Sequence, residues 1–244
     1  MRDHLVIGDT QCKPGSPTEH MEALGKFIIE RQPAVIVHIG DNWDMESLSS
    51  YDEDTFKMEG RRILGDIEAG NECIRILDEA IESVKGYDPE RIFIIGNHEA
   101  RIERFLNDNP KFRGFLSYDD FELDEWSITP FLEIAIVDGI RYSHYFANPF
   151  TGRPYGGSAL TRLNKLKFSY VMGHIQKLEY GNDYLNDGGV VTGLVCGSFH
   201  LHDEEYKGPQ GKNHFRGVCI LNGVRDGNYD LEVISLGRLM SKYK

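Results

Sequence analysis

Three short apolar runs in the first hundred residues each end in a glycine that is followed directly by a polar side chain. The runs are HLVIGD at 4–9, PAVIVHIGD at 33–41 and RIFIIGN at 91–97. Continuous apolar runs of this length are typical of strands that are buried on both faces. Because the carboxyl ends of parallel strands meet at one edge of a sheet, the runs predict that Asp9, Asp41 and Asn97 lie close together.

Between these runs, apolar residues recur at helical spacing, which supports parallel pairing of the predicted strands. Residues 17–32 carry apolar side chains at one helical face, and Thr18 is placed to cap a helix there. Residues 56–86 show the same period over a longer stretch, and residues 98–107 are also expected to be helical. Strand, helix, strand is the order of a βαβ unit, which favours parallel strands.

The second half of the chain is richer in strands than in helices. Residues 131–144 predict a hairpin with a tight turn at Asp138-Gly139, and residues 145–165 predict a surface loop. Further strands are expected at 168–174, 188–198, 216–224 and 229–236. Parallel units followed by mostly antiparallel strands predict an α/β fold, a four-layer αββα sandwich of two mixed sheets packed face to face with helices outside.

Composition limits the class of protein. The 244 residues are 40% hydrophobic and show no linker or low-complexity stretch, so we expect a single domain over 1–244. The chain shows no signal-like segment and no apolar run of the roughly 20 residues that a membrane span needs, which favours a cytoplasmic protein without membrane contact. The four cysteines form no C-x-x-C pair and are expected to be unpaired thiols in a reducing compartment.

Two histidines extend the set of polar side chains at strand ends. His144 ends the predicted hairpin, and His174 follows the strand at 168–174. With the earlier residues they provide two carboxylates, one amide oxygen and two imidazoles, a mixed set that suits Mn, Fe, Zn, Co or Ni rather than a thiolate zinc site. The remaining isolated histidines, at positions 4, 20, 38 and 214, are interpreted as ordinary polar or core residues.

The order of these motifs resembles that of the calcineurin-like metallophosphoesterase superfamily, whose pattern runs D-x-H, GD-x-x-D, GNH-D/E, H and GH-x-H. The matching segments are GDTQ at 8–11, GDNWD at 40–44, GNHE at 96–99, His144 and GHIQ at 173–176. The resemblance covers residues 5 to about 200. The tail GPQGKNHFRGVCILN at 208–222 is also similar to phage-encoded members.

The resemblance implies a centre of two divalent metal ions. Asp41 would bridge the ions, and Asn97, His144 and His174 would complete the shell of one of them. Asp9 would belong to the other ion. Manganese is the metal expected first, with Mg, Fe, Zn, Co and Ni as alternatives.

Three more residues are expected to act on the substrate. By the same resemblance, His98 would act on the phosphate and the leaving group instead of binding metal. Asp44 is a candidate for orienting His98, and a simple loop cap is the alternative. Arg101 could contact a substrate phosphate, or it could be an ordinary arginine on a helix surface.

Two positions depart from the family pattern. Gln11 and Gln176 stand where the family carries histidines, and both departures fall on the ion that Asp9 would hold. An amide oxygen is a weaker and harder donor than an imidazole, so we expect this ion to be looser and biased toward Mn or Mg. His200 or His202 could supply a replacement imidazole, and exposed loop histidines are the alternative interpretation.

The sequence therefore predicts a phosphoesterase that hydrolyses a phosphate mono- or diester, such as a nucleotide, with water activated at a dinuclear metal centre. A serine/threonine protein phosphatase is excluded, because that subfamily continues GD-x-x-D with Arg-Gly where this chain has Met45-Glu46. A DNA or RNA nuclease is an alternative that the basic stretch at 162–167 would support, although the net charge of −12 disfavours it. The polar face of a helix is the other interpretation of that stretch. A degenerate member that binds phosphate or a partner protein without catalysis is the third interpretation.

Overall fold

The computed structural model describes residues 1–202 and 214–244, so part of the tail that resembles phage-encoded proteins lies outside the described residues. The strands are β1 Arg2–Ile7, β2 Val35–His38, β3 Glu90–Ile94, β4 Ser127–Thr129, β5 Ala135–Val137, β6 Ile140–Tyr142, β7 Tyr170–Met172, β8 Leu178–Tyr184, β9 Val190–Cys196, β10 Gly217–Arg225 and β11 Asn228–Ser235. The α-helices are α1 Glu19–Arg31, α2 Ile63–Glu82, α3 Arg101–Asp108, α4 Ala159–Leu166 and α5 Leu236–Tyr243.

The strands form two mixed sheets. The first sheet has the order β11-β10-β1-β2-β3-β4, with β1 to β4 parallel and the β1–β10 and β10–β11 pairs antiparallel. The second has the order β5-β6-β7-β9-β8, in which β6, β7 and β9 are parallel and the outer strands pair antiparallel. More parallel pairing is present in the second half of the chain than the sequence pattern suggests.

Successive side chains of a strand face opposite sides of its sheet, and this alternation explains the layers of the fold. In β1, Val6 faces an apolar layer that also contains Val171 and Leu194 of the second sheet. Its neighbours Leu5 and Ile7 face the opposite way, into a core shared with α1, α2 and α5. On the far side of the second sheet, α4 packs on β7 and β9 through a smaller apolar cluster. The predicted αββα sandwich is confirmed.

Several element boundaries differ from the prediction. Helix α2 begins at Ile63 instead of residue 56, because residues 56–58 form a separate short 3₁₀ turn. Helix α4 lies inside the segment predicted to be a surface loop, and strand β8 was not predicted, since its sequence LEYGNDY lacks an apolar run. None of the described helices has both the length and the apolar composition needed to cross a bilayer.

The hairpin predicted at Asp138-Gly139 is confirmed. Strands β5 and β6 pair directly around these two residues, whose φ angles are 47° and 86°. Positive φ at both central positions is the signature of a type I′ turn, which matches the twist of the flanking strands.

The cysteine prediction is wrong for two of the four residues. Cys12 and Cys73 form a disulfide in the structure, whereas Cys196 and Cys219 are free and buried. The paired cysteines are 61 positions apart in the chain. Only the packing of the loop after β1 against α2 brings them together, so no local pattern could indicate the pair.

Candidate metal centre

The candidate site lies at the carboxyl ends of parallel strands from both sheets. The residues that follow these strands are Asp9 after β1, Asp41 after β2, Asn97 after β3, His144 after β6 and His174 after β7. The two sheets meet at this edge, because the Phe199 N–H beyond β9 donates to the Asp9 carbonyl at 2.8 Å. The structure therefore brings together the five strand-end residues that the sequence singled out.

Four of these residues form a tight group of donor atoms. Ligand atoms of Asp41, His144 and His174 all lie within 4.8 Å of one another. Asn97 Oδ1 lies 2.9 Å from His144 Nε2 and 2.7 Å from His174 Nδ1. One carboxylate, one amide oxygen and two imidazoles match the donors that divalent transition metals accept.

The surroundings of His144 show why a cation fits this group. Its Nδ1 lies 2.8 Å from the Ile39 carbonyl, which can only accept, so Nδ1 carries the proton in the neutral ring. Nε2 then directs a lone pair toward Asp41 Oδ2, 3.3 Å away, and toward Asn97 Oδ1. Converging lone pairs need a second proton or a metal ion. Burial opposes the second proton, but the Asp41 carboxylate outweighs it and raises the pKa of His144 to about 9.

Asp41 is held from several directions. Although burial opposes its charge, the imidazoles of His144 and His98 keep the pKa of this carboxyl well below its usual range. Asp41 Oδ1 also accepts the His98 N–H at 2.9 Å. A Cβ at Gly96 would overlap this same oxygen, so the close approach of the β3 loop requires glycine.

The second part of the site contains Asp9, Gln11 and Gln176, all buried. Asp9 Oδ1 accepts the His174 N–H at 3.1 Å, and the Gln176 amide lies near the same carboxylate. Asp9 Oδ2 and Gln11 Oε1 are buried and have no hydrogen-bond partner within the described residues. A buried oxygen without a partner costs about 1–3 kcal/mol, and two such oxygens beside Asp41 are suited to bind a second cation.

Burial, with the neighbouring Asp41 charge, raises the pKa of Asp9 to about 6. Two carboxylates in one dry site repel each other, and this repulsion opposes the ionisation of Asp9. A divalent ion would remove this repulsion. The donor types of the residues present therefore fit the binding of divalent metal ions.

Several of these residues have an unusual, left-handed backbone conformation. Gln11, Asp41, His174 and Gln176 all have positive φ angles, of 44°, 54°, 66° and 59°. Side chains rarely adopt this left-handed conformation, which costs roughly 1 kcal/mol for each residue, and it concentrates at functional sites. The Gln11 N–H donates to the Asp41 carbonyl at 2.8 Å, so the two strained loops support each other.

His98 lies beside the ligand group and is oriented by Asp44. Its Nδ1 is 2.6 Å from Asp44 Oδ1 and 3.0 Å from the Asp44 carbonyl, so Nδ1 donates. Its Nε2 faces Asp41 Oδ2 at 3.8 Å. Burial opposes the charged ring, but the carboxylates of Asp41 and Asp44 outweigh burial and raise the pKa of His98. The structure thus brings this predicted pair together.

Arg101 donates to the loop that carries Asp44, and its contact with a substrate phosphate stays a prediction. Its Nη1 donates to the Asp44 carbonyl at 2.6 Å and to the Met45 carbonyl at 3.2 Å. These contacts hold the loop that carries Asp44. Two residues that the sequence analysis missed lie nearer the rim: Arg104 donates to the Asn97 carbonyl at 3.2 Å, and the Tyr145 ring lies 4.8 Å from that of His174.

Glu99, the last residue of the GNHE motif, joins the loops after β2 and β3. Its carboxylate is buried and accepts four backbone N–H groups, those of residues 41, 42, 43 and 96, at 2.6–3.0 Å. Both oxygens are therefore fully used by the two loops that carry Asp41 and Asn97. The sequence analysis gave this glutamate no role, although an acidic residue inside a buried motif was a usable signal.

His38 belongs to a chain of hydrogen bonds below the site. Its Nδ1 accepts the Gly40 N–H, so Nε2 carries the proton and donates to Thr10 Oγ1 at 3.1 Å. Thr10 donates to Asn42 Oδ1 at 2.8 Å, and Asn42 Nδ2 donates to the Gly70 carbonyl. Every polar atom of this chain is used, and the loops after β1 and β2 are tied to α2. Burial lowers the pKa of His38 to about 3, so the ring stays neutral.

The structure does not place His200 and His202 in the group of ligand atoms around Asp41 that it defines among the described residues. His200 is buried, and its Nδ1 donates to the His202 carbonyl at 2.8 Å. The two rings stack at 4.6 Å, and His202 lines a separate cavity. Their role as replacement ligands stays a prediction.

A sequence model of the calcineurin-like phosphoesterase family matches residues 4–230, which is nearly the whole chain. No curated protein matches the chain in sequence.

Among solved structures, the chain is similar to Yfce, a phosphoesterase from E. coli, with 15% identity and a TM-score of 0.47 over 96% of this chain and 93% of that one. It is also similar to a conserved uncharacterised protein from Streptococcus pneumoniae TIGR4, described as a predicted phosphoesterase. There the identity is 9% and the TM-score 0.35, over 96% of this chain and 97% of that one. Similarity at this level carries no information on substrate.

Proposed function

Because this chain belongs to the calcineurin-like phosphoesterase family, we propose that it hydrolyses phosphate esters at a centre of two divalent metal ions. Asp41, Asn97, His144 and His174 would hold one ion. Asp41 would also contribute to the other, together with Asp9, Gln11 and Gln176. When bound, the ions would supply an activated water and neutralise charge on the phosphate.

The observation that carries this proposal is the set of unsatisfied oxygens beside a complete ligand group. Asp9 Oδ2 and Gln11 Oε1 are buried without partners among the described residues. Asp9 lies close enough to Asp41 for the Asp41 charge to raise its pKa, and the Gln11 N–H donates to the Asp41 carbonyl. A second ion beside the one held by the histidines would give both oxygens a partner.

His98 would supply the proton for the leaving group. Asp44 holds its Nδ1, so that Nε2 is directed toward the ligand group. A charged imidazole there can stabilise the developing negative charge on the phosphate and can donate its proton to the departing oxygen. A module that only bound phosphate would have no need for this pair, which argues against the non-catalytic alternative.

Metal content by mass spectrometry tests the proposal, with protein stripped by a chelator and reconstituted with Mn²⁺. We expect two equivalents of metal and Mn-dependent hydrolysis, both lost in Asp41→Asn and both retained in the matched control Asp124→Asn, whose side chain is exposed. One equivalent with turnover would contradict the dinuclear centre. No turnover with any metal would contradict the enzyme and favour a binding protein.

The titration also tests the glutamine side of the centre. Because amide oxygens bind divalent ions more weakly than imidazoles, two affinities should be resolved, the weaker with a preference for Mn or Mg. Gln11→His should tighten the weaker site and leave the tighter one unchanged. Two equally tight sites in the wild-type protein would contradict this assignment.

A nuclease is the second candidate, and exposed aromatic side chains favour it. Phe115 and Phe150, on the loops that follow α3 and His144, are 84% and 94% exposed, and the Lys111 ammonium lies 5.5 Å from the Phe112 ring centre. Aromatic rings next to cations are typical of surfaces that bind single-stranded nucleic acid. The basic stretch at 162–167 lies mostly on α4, where Arg162 is buried against Glu179. Lys165 and Lys167 are exposed, and the Lys165 ammonium lies 5.4 Å from the Tyr155 ring centre.

Model substrates separate these candidates. Hydrolysis of bis-p-nitrophenyl phosphate together with a fluorescent single-stranded oligonucleotide would favour the nuclease. Hydrolysis of p-nitrophenyl phosphate without cleavage of the oligonucleotide would favour a phosphomonoesterase acting on small esters. Phe150→Ser should weaken oligonucleotide cleavage, whereas the equally exposed but distant Tyr184→Ser should not.

A further inference from the structure

A separate cavity lies between the loop that follows β1 and the helices α1 and α2. It has a volume of about 220 Å³ and is enclosed by residues 12–18, the start of α1, the first half of α2 and His202. The side chains of Cys12, His20 and Cys73 all line it. None of these three residues takes part in the proposed catalytic chemistry.

His20 has no hydrogen-bond partner that explains its burial. It is 3% exposed, and neither ring nitrogen has a hydrogen-bond partner among the described residues. The Phe199 ring lies at 5.3 Å between ring centres, and the Phe199 backbone lies near the imidazole without forming a hydrogen bond of good geometry. Burial lowers the pKa of His20 to about 4, so the ring is neutral near pH 7 and carries a lone pair. A buried neutral imidazole that lines a cavity is suited to bind a metal ion.

Two sulfur atoms lie at the same cavity. Cys12 and Cys73 are joined in the structure, and both are almost fully buried. A dithiol reductant would transfer two electrons and two protons to this bond, giving two thiols and the oxidised, disulfide form of the reductant. The backbone of Cys12 is hydrogen-bonded to residues 42 and 44 and that of Cys73 lies in α2, so the two thiols would remain next to each other.

We propose that the reduced protein binds a thiophilic divalent ion such as Zn²⁺ through Cys12, Cys73 and His20, with His202 at the edge of the cavity as the fourth ligand. Two thiolates and two imidazoles form the donor set of a tetrahedral zinc site. On binding, the two thiols release their protons to solvent and the ion takes their place. The disulfide and the metal site are therefore alternative states of the same two cysteines.

This site is chemically distinct from the proposed catalytic centre. The catalytic donors are oxygen and nitrogen atoms only, whereas the cavity offers two sulfurs. The other cysteines are separate from it, since Cys196 and Cys219 lie on β9 and β10, where the Cys219 thiol faces the Cys196 carbonyl. A spectroscopic signal that needs a thiolate ligand can therefore report on this cavity alone.

Titration with Co²⁺ provides that signal, because thiolate ligands give cobalt a strong charge-transfer band in the near ultraviolet and oxygen or nitrogen ligands do not. We expect reduced wild-type protein under anaerobic conditions to show the band, saturating at one equivalent, and Zn²⁺ to displace it. The oxidised wild-type protein should show no band. This comparison needs no substitution, so misfolding of a variant cannot account for the result.

Variants then identify the ligands. Cys73→Ser should abolish the band and His20→Gln should weaken cobalt binding at least tenfold. Cys219→Ser and Asp41→Asn should keep the full band, and Asp41→Asn separates this site from the catalytic proposal. Absence of a band in reduced wild-type protein would overturn the inference, and so would a full band in Cys73→Ser. Hydrolysis, measured on the same samples, tests the proposed function independently.

Discussion

At the scale of single residues, the hydrogen-bond geometry of this protein decides which atom of a charged group donates and which atom accepts. His98 is the example closest to the chemistry. Asp44 accepts from its Nδ1, and Asp41 faces its Nε2. Asp44 therefore orients the ring, and the two carboxylates raise its pKa, although the ring is not part of the ligand group itself.

We expect His98→Gln to reduce kcat for bis-p-nitrophenyl phosphate by about 10²–10⁴-fold, the range of general acid catalysis. Metal content should not change, because only the His98 backbone N–H contacts Asp41 within hydrogen-bond distance. Steady-state kinetics together with metal analysis check this. Loss of metal in the variant would mean that His98 is a ligand and not a proton donor.

Glu99 allows a sharper test of how the loops are held. In Glu99→Gln, one carboxylate oxygen becomes an NH₂ group that faces two backbone N–H donors, either those of residues 42 and 43 or those of residues 41 and 96. Because those donors would lose their acceptor in a buried site, we expect the free energy of unfolding to fall by about 2–4 kcal/mol.

Denaturant unfolding in the presence of a chelator measures this change. The matched control is Glu103→Gln, whose side chain is exposed on α3, and we expect a change within about 0.5 kcal/mol. Equal stability of the two variants would show that the four hydrogen bonds to Glu99 contribute little.

At the scale of elements, two hairpin turns from different sheets meet at the edge opposite the candidate site. The turn between β5 and β6 contains Gly139, and a Cβ there would lie 2.6 Å from the Gly227 backbone nitrogen in the turn between β10 and β11. The contact between these two turns depends on glycine for space as well as for its positive φ. At this edge the two sheets therefore pack through a contact that needs both hairpin turns.

Gly139→Ala should lower the free energy of unfolding by about 2–3 kcal/mol, from left-handed strain of about 1 kcal/mol plus overpacking of at least about 1 kcal/mol. Gly188→Ala is the matched control, because Gly188 has nearly the same φ, 85° against 86°, and open space around its Cβ. Thermal and denaturant unfolding of both variants check this. If both variants lose the same free energy of unfolding, steric contact between the turns contributes nothing to stability.

At the scale of the whole molecule, the candidate centre joins the two sheets. Asp41 and Asn97 belong to loops of the first sheet, whereas His144 and His174 belong to loops of the second. The two buried carboxylates, Asp9 and Asp41, both follow strands of the first sheet, and without a cation they repel each other beside the histidines of the second sheet. Bound metal should therefore stabilise the assembled sandwich as well as support catalysis.

We expect Mn²⁺ at about 100 times its dissociation constant to raise the free energy of unfolding by about 2.7 kcal/mol for each site, and a chelator to reverse the effect. Thermal unfolding with Mn²⁺, and with excess chelator, measures this difference. Asp41→Asn should be insensitive to both additions. If Mn²⁺ shifts the thermal unfolding of Asp41→Asn as much as that of the wild-type protein, the metal binds elsewhere.

The sequence by itself determined strands β1, β2, β3, β10 and β11 of the first sheet, although not β4, and the edge at which the candidate side chains collect. Apolar runs that end in Gly-Asp or Gly-Asn carry this information locally, because strand burial and the loop after the strand are encoded in consecutive residues. The same holds for the hairpin at Asp138-Gly139. The roles of the individual ligands, the native metal, the phage-type origin, the cytoplasmic location and the single domain over 1–244 stay predictions.

Only the tertiary structure decided which side chains satisfy one another. Three of the four hydrogen bonds of Glu99, the contacts of Arg101 with the Asp44 loop, and the pairing of Cys12 with Cys73 all join residues 56 to 61 positions apart. Such partners are selected by packing, which local periodicity does not record. The same reason explains why strand β8 was missed: its sequence has no apolar run, and it is held in place by pairing along the whole length of β9.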